Sequence, residues 1–453
     1  MSAAQFTFLE RAGWPSPAPF VLALPGGGSL QYRNILRWLP GRRVSGEASW
    51  DGRPVFAKLF FGAAARRHAE REQQGLAALQ SAGLPTPALL AVVDFPRGER
   101  LLLSEFMPAA RSLEAALGDP AKLSPALALL GRLHAAGLVH DDLHLGNFLL
   151  AEEKMLLIDG DGVRPGSAEQ QRDNLALLLS QLPVALDGWR AGLLSAYGEL
   201  PGSGGLDDLV DAWRQRRRQR FLAKTLRDCT QFSVVRESGR FLAVLRSAGT
   251  SLLPLLAAPD QAIEQGRRLK SGATCTVAAL AMDGGPLVVK RYNRKNWRHA
   301  LSRAWRPSRA WHSWREAHRL AFYGIATPKP LALLEERWGP LRGRAFLVTE
   351  FCPGVSLADA LLPERVPEPA LAQSLEVFFA VLCRLRITHG DLKATNLLWH
   401  EGQLWAIDLD AMTQHRSASA FRRAWRRDRA RFLRNWPAGS PLHDWLARIL
   451  PPV

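Results

Sequence analysis

The feature that most constrains this chain is a repeat of very long pitch. Val139-His140-Asp141-Asp142-Leu143-His144-Leu145-Gly146-Asn147-Phe148 returns as Thr388-His389-Gly390-Asp391-Leu392-Lys393-Ala394-Thr395-Asn396-Leu397. Each copy is followed by a short apolar run closing on Asp, Met155 to Asp159 and Leu404 to Asp408. Asp142 precedes Asn147 and Asp391 precedes Asn396 by five residues, and in both copies the Asn precedes the strand Asp by twelve. At this pitch the repeating unit is a whole domain rather than a supersecondary motif. A length of 453 residues agrees, being too great for one ordinary hydrophobic core.

The repeat extends upstream. Pro54-Val55-Phe56-Ala57-Lys58 and Pro286-Leu287-Val288-Val289-Lys290 read as strands ending on Lys. Helical patterns follow, carrying Glu72 with Leu76 and Leu79, and Glu316 with Leu320 and Tyr323. Leu84-Pro85-Thr86-Pro87 and Ile325-Ala326-Thr327-Pro328 close them. Leu101 to Met107 and Phe346 to Cys352 then read as strands entering a linker. The pattern predicts an α+β chain of two consecutive bilobal, protein-kinase-like domains, each an antiparallel-sheet small lobe followed by a helical large lobe. Residues 1–215 form the first and 216–453 the second, with the boundary near the basic stretch Arg214 to Lys224.

The order of chemical groups is the order that phosphoryl transfer from ATP needs, since that reaction asks for positioning and charge neutralisation rather than covalent help. Lys58 and Lys290 are the point charges for nucleotide phosphates, held by Glu72 and Glu316 on the next helix. Glu105 and Met107, with Glu350 and Cys352, stand where the strand enters the linker and are expected to line the nucleotide site. Asn147 with Asp159, and Asn396 with Asp408, supply the amide and carboxylate oxygens that suit Mg2+. Asp142 and Asp391 are the candidate catalytic bases for the acceptor hydroxyl. The kinase H-x-D-x-x-x-x-N signature is met with its Lys, Glu and later Asp in order, twice. Val44-Ser45-Gly46-Glu47-Ala48 and Ser271-Gly272-Ala273-Thr274-Cys275-Thr276 are the expected nucleotide-covering loops, each with one Gly; Pro25-Gly26-Gly27-Gly28 reads as a turn.

Charge divides the halves. Through residue 212 acidic groups outnumber basic ones by 4, and from residue 213 basic groups exceed acidic by 21. A half so basic is expected to meet polyanions. Four cysteines without CxxC or His spacing argue against a disulfide framework or a metal cluster. The N-terminus lacks a basic start and apolar stretch, and no run is long enough to span a bilayer, so a cytoplasmic protein is expected.

From Thr274 through Asp428 the chain resembles the lipopolysaccharide core kinase family, the heptose and Kdo kinases of Gram-negative bacteria. The resemblance rests on Val289-Lys290-Arg291-Tyr292-Asn293, Trp314-Arg315-Glu316-Ala317, Ile325-Ala326-Thr327-Pro328, Thr388-His389-Gly390-Asp391 and Ala406-Ile407-Asp408-Leu409-Asp410. The first half is similar to the same superfamily through His140 to Leu150. The resemblance implies a kinase peripheral to the cytoplasmic face of the inner membrane, phosphorylating a sugar hydroxyl of the lipid A–core glycolipid. It makes Asp391 and Asp142 the bases and Asp408 and Asp159 metal ligands. Asp173 and Asp428 resemble the large-lobe Asp that braces the catalytic loop. The first half departs at Asp141, where the second has Gly390, and a carboxylate there would repel an anionic acceptor.

Two basic segments carry Trp: Arg294 to Arg315, with Trp297, Trp305, Trp311 and Trp314, and Phe421 to Trp436, with seven Arg and Trp425. They suit contact with a phosphorylated glycolipid or an anionic membrane, or a solvated helix face whose Trp residues pack inward; no nucleic-acid module is recognisable. Two other functions fit the motifs: a small-molecule kinase of the aminoglycoside or choline type, and an inactive tandem pseudokinase scaffold at the membrane.

Overall fold

A computed structural model describes residues 4–11, 17–117, 120–152, 154–200, 205–272, 274–293, 307–339 and 341–452. The chain divides into two compact units, residues 1–182 with 186–215, and residues 183–185 with 216–453; the division falls inside the helix Leu206–Lys224.

The first unit opens on a six-stranded antiparallel sheet ordered Val21–Ala23, Ser29–Leu39, Arg43–Trp50, Arg53–Phe60, Arg100–Glu105, Leu89–Asp94. Alternation decides the faces. Val55, Ala57 and Leu59 enter a core with Leu101 and Leu103, which leaves Lys58 on the opposite face. The helix Ala65–Ser81 crosses that face, burying Glu72, Leu76 and Leu79. Behind it lies a helical lobe whose core unites Leu127, Leu130 and Leu133 of Leu123–Ala135 with Leu175 and Leu179 of Ala168–Leu179. The second of these helices begins with a complete capping box, Ser167 and Gln170 each bonding the other's backbone.

The second unit repeats the plan. Its sheet has seven antiparallel strands, ordered Phe232–Arg236, Arg240–Leu245, Pro330–Trp338, Leu341–Glu350, Leu287–Tyr292, Cys275–Leu280, Arg267–Ser271. Leu287 and Val289 pack with Phe346 and Val348, which again turns the next residue, Lys290, away from that core. Lys58 pairs across to Ser45 and Leu102, and Lys290 to Val277 and Leu347, so both lysines occupy the same place in the sheet. The helices Pro369–Arg384, Ala418–Leu433 and Pro441–Ile449 build the large lobe around Phe379, Trp425, Phe432 and Leu446. Both units thus have the expected bilobal, kinase-like α+β architecture.

Two sequence expectations change here. In the first unit Gly46 is not in a covering loop. It sits inside the strand Arg43–Trp50 at a bulge, where a Cβ would lie 2.0 Å from the Asn34 carbonyl oxygen. The turn joining that strand to the one before it is Pro40-Gly41-Arg42, with Gly41 at φ +69°. In the second unit Gly272 and Thr274 do lie between the two edge strands, as expected; Ala273 lies outside the described residues.

The tryptophans of the basic segments, where described, pack inward. Trp314 and Trp425 are fully buried, Trp436 is buried, and Trp311 is tilted against Phe241 at 4.7 Å with the Arg342 guanidinium 4.8 Å from its ring. Trp297 and Trp305 lie outside the described residues. Among the described residues no helix is long and apolar enough to cross a membrane.

Candidate active sites

Each unit holds a cleft between sheet and helical lobe, and nearly all the expected residues line it. In the first unit the cleft, about 610 Å3, is lined by Lys58, Glu72, Glu105, Met107, Asn147 and Asp159. In the second, about 320 Å3, it is lined by Lys290, Glu350, Cys352, Asn396 and Asp408. Glu316 is not among its walls. Asp142 and Asp391 are not wall residues either; they lie on the loops from which Asn147 and Asn396 reach the clefts. Asn147 Nδ2 donates to the Asp142 carbonyl at 3.1 Å and Asn396 Nδ2 to that of Asp391 at 2.8 Å, closing each loop in the same way.

The Asp that ends each apolar strand is in the left-handed region, Asp159 at φ 73° and Asp408 at φ 58°. A non-glycine residue is held there at a cost, and such strain gathers at functional sites. The histidine of each motif secures this corner. His140 Nε2 meets the Asp159 carbonyl at 2.7 Å and His389 Nε2 that of Ile407 at 2.9 Å. Burial pushes the His389 imidazole below its ordinary range, which favours the neutral ring in this structural contact.

The lysines are anchored differently. Lys58 Nζ bonds Glu72 Oε1 at 2.5 Å and Asp159 Oδ1 at 3.2 Å, the pairing expected from sequence. Burial raises the Glu72 carboxyl against the pull of Lys58. Asp159, although burial opposes it, is held well below the ordinary carboxylate range by the Lys58 ammonium and its hydrogen bonds.

In the second unit the expected Lys290–Glu316 pair does not form. Lys290 Nζ bonds Asp408 Oδ1 at 2.6 Å and Asp410 Oδ2 at 2.9 Å, while Glu316 turns to Arg319 at 3.1 Å. The helix register explains the change. Leu84 N bonds Leu79 O and Ile325 N bonds Leu320 O, so the two helix ends coincide. Glu72 lies twelve residues before Leu84, and twelve before Ile325 stands Ser313. The same register sets Glu316 opposite Gly75, whose missing side chain lets the first unit's helix meet Gly160; a Cβ on Gly75 would lie 1.9 Å from the Gly160 carbonyl oxygen. With Glu316 and Leu409 in those two places that approach is closed, and the short Ser313 side chain bonds Asp410 Oδ1 at 2.7 Å. Asp410 also accepts from Tyr292 at 2.7 Å and Arg309 at 2.5 Å. Burial disfavours the charged forms of both groups. Even so, the pair holds Lys290 above and Asp410 below their ordinary ranges, and the Tyr292 phenol is pushed far up by burial and by Asp410.

The loop braces differ as well. Asp428 accepts the Gly390 N–H with both oxygens, at 3.1 and 3.0 Å, as expected. In the first unit Asp173 instead takes the Trp213 indole N–H at 2.6 Å. Its neighbour Asn174 braces the loop, accepting from His140 N at 3.2 Å and donating to His140 O at 2.8 Å. A residue that both donates and accepts can hold the loop without burying a charge, which the Asp rule had overlooked. Asp141 is an exposed partner of Arg164, 2.8 Å away.

The two motif aspartates face different company. Asp391 lies 2.8 Å from Arg431 Nη2 and 3.1 Å from Lys393 Nζ. Asp142 is exposed, and among the described residues no hydrogen bond or ion pair holds its carboxylate.

Residues 262–446 match the model of the lipopolysaccharide kinase (Kdo/WaaP) family, and residues 3–209 that of the phosphotransferase enzyme family (APH). The chain is a tandem of two kinase-like phosphotransferase domains, and the second is similar to the lipopolysaccharide kinase family. Among solved structures it is similar to WaaP in complex with acyl carrier protein, at 22% identity over 41% of this chain and 88% of that one, TM-score 0.32. It is also similar to vaccinia related kinase 3, at 13% identity over 49% of this chain and 81% of that one, TM-score 0.29. Comparison with curated proteins returns no match.

Proposed function

We propose that the second unit transfers the γ-phosphate of ATP to a sugar hydroxyl, on heptose or Kdo, of the lipopolysaccharide inner core, working peripherally at the cytoplasmic face of the inner membrane. The observation that carries the reading is the convergence of Lys290, Asn396 and Asp408 on one cleft whose neighbouring loop presents Asp391 among cations, within residues that match the lipopolysaccharide kinase family.

Lys290, fixed by two carboxylates, offers its remaining donor to the nucleotide phosphates. Glu350 and Cys352 line the cleft where the strand Leu341–Glu350 leads into the linker, beside the expected place of the nucleotide's adenine. The Asn396 amide and the Asp408 carboxylate present hard oxygen donors on the same wall as Lys290, a set that fits Mg2+ shared with phosphate oxygens and water. Bound there, Mg2+ would neutralise charge on the transferring phosphate. Asp391 orients the acceptor hydroxyl and takes its proton as the new O–P bond forms and the bond to the ADP oxygen breaks.

For the first unit a second reading is favoured by its match to the phosphotransferase enzyme family and by an Asp142 whose carboxylate no ion pair holds among the described residues. Here Lys58, Glu72, Asn147 and Asp159 bind Mg-ATP, Glu105 and Met107 line the linker side, and the acceptor is a soluble, aminated small molecule.

Mass spectrometry of core glycan from cells carrying Asp391→Ala or Asp142→Ala tests both readings. Loss of one core phosphate in the first strain alone is expected. Unchanged phosphorylation in both strains sinks the glycan reading, and turnover of a soluble amine lost only in Asp142→Ala supports the second.

A further inference from the structure

The helix Ala418–Leu433 is the most basic element near either catalytic loop, and its arginines are not equivalent. Arg429 is used by the fold, donating to the Ala447 and Leu450 carbonyls at 2.7 and 3.4 Å. Arg423 and Arg427 on this helix, and Arg434 at its end, are exposed. Arg431 belongs to neither class. Its guanidinium lies 2.8 Å from Asp391 Oδ1, and Lys393 lies 3.1 Å from the other oxygen, with 42% and 43% of the two cationic side chains exposed.

Both cationic side chains are open to water, and Asp391 Oδ1, although covered, accepts no well-formed hydrogen bond from Arg431, so the pair contributes little to stability. It is therefore cheap to exchange. A guanidinium is also the side chain that binds carboxylate or phosphate in a bidentate fork. While Arg431 holds Asp391, the oxygen it covers is denied to an acceptor hydroxyl. Among its described residues the first unit has no such device: Asn174 stands in the place of Asp428, and three residues further on is Leu177 where the second unit has Arg431.

We propose that Arg431 is an acceptor-binding residue for an anionic oxygen group, carboxylate or phosphate, carried beside the reacting hydroxyl, and that this group draws Arg431 off Asp391. The base is then uncovered only when the acceptor is seated, and water, which carries no such anion, is a poor substitute. Arg427 and Arg434, one turn to either side, extend the cationic track along which a polyanionic acceptor lies. This inference rests on the proposed glycan kinase reading.

The test uses the full chain with Asp142→Ala to silence the first unit, alone and with Arg431→Gln or Arg431→Lys. Acceptors are delipidated core oligosaccharide, the same after carboxyl reduction, and the same after phosphatase treatment. In the parent, KM is expected to rise about tenfold on whichever treated acceptor has lost the recognised anion, with kcat little changed. Arg431→Gln should show that raised KM on all three, hydrolyse ATP without acceptor several-fold faster, and be partly restored in Arg431→Lys. Equal KM for parent and Arg431→Gln on every acceptor overturns the inference. Should the parent phosphorylate none of them, the glycan reading fails, and acceptor-free hydrolysis still decides: an unchanged rate in Arg431→Gln overturns the inference, and a faster one sustains it.

Discussion

Lys290 Nζ lies 2.9 Å from Asp410 Oδ2, whereas its counterpart Lys58 lies 2.5 Å from Glu72 Oε1, so one chain anchors the same lysine in two ways. In the first unit the anchor comes from the helix and depends on the close approach at Gly75. In the second it comes from the turn that also carries Asp408, with Ser313, Tyr292 and Arg309 holding Asp410 in place. Asp410→Asn should therefore lower kcat of the second unit by about 10²-fold through misplacement of Lys290, while Glu316→Gln changes it little. Asp410→Ser combined with Ser313→Glu moves the carboxylate to the helix and should recover much of the loss. Steady-state kinetics in ATP check this; Glu316→Gln matching Asp410→Asn would refute it.

Gly390 adopts φ +78°, and a Cβ there would meet the Ala411 carbonyl oxygen at 2.4 Å. Gly390→Asp, which copies the first unit's sequence, is expected to cost about 1–3 kcal/mol or more and to disable the second unit. Asp141, which is not among the positive-φ residues, should tolerate Gly. Thermal unfolding and phosphotransfer of the two variants make the comparison. The two loops have different backbones here, so the extra carboxylate of the first unit is a consequence of its fold as well as a neighbour of its base.

Asp428 is buried and accepts the Gly390 N–H. Asp428→Ala leaves that donor unpaired and should destabilise the second unit by about 1–3 kcal/mol. Asp428→Asn keeps an acceptor, as Asn174 does in the first unit, and should lose much less. Urea denaturation distinguishes them.

His318 packs on Trp314 at 4.3 Å and Phe232 at 5.2 Å, and burial lowers its pKa to about 3. A folded pKa below the unfolded value means the stabilisation is full above about pH 6.5 and is lost as pH falls toward 3. Between those limits His318→Phe should remove about 1.4 kcal/mol per pH unit from the acid slope of unfolding free energy. Unfolding titrations at several pH values measure it.

Much of the architecture was legible in the sequence because strand alternation and motif spacing are local. Lys58, Lys290, Asn147, Asn396, Asp159 and Asp408 stand where their spacing put them. Glu316 was misread because Leu320 and Tyr323 give it the same amphipathic setting as Glu72. Counting back from Ile325 would have found Ser313, and the second carboxylate of Asp408-Leu409-Asp410 was the signal for its substitute. Gly46 misled because a bulge glycine and a loop glycine are alike in sequence. Arg431 was one of seven arginines until the helix turned it toward Asp391.

The central claim is that Asp391 is the base of a glycan kinase. Its most direct measurement is transfer of labelled γ-phosphate from ATP to core oligosaccharide by the full chain, Asp391→Asn and Asp142→Asn. Incorporation should fall by about 10²–10⁴-fold in Asp391→Asn and stay near the parent level in Asp142→Asn. Undiminished incorporation by Asp391→Asn would contradict the account.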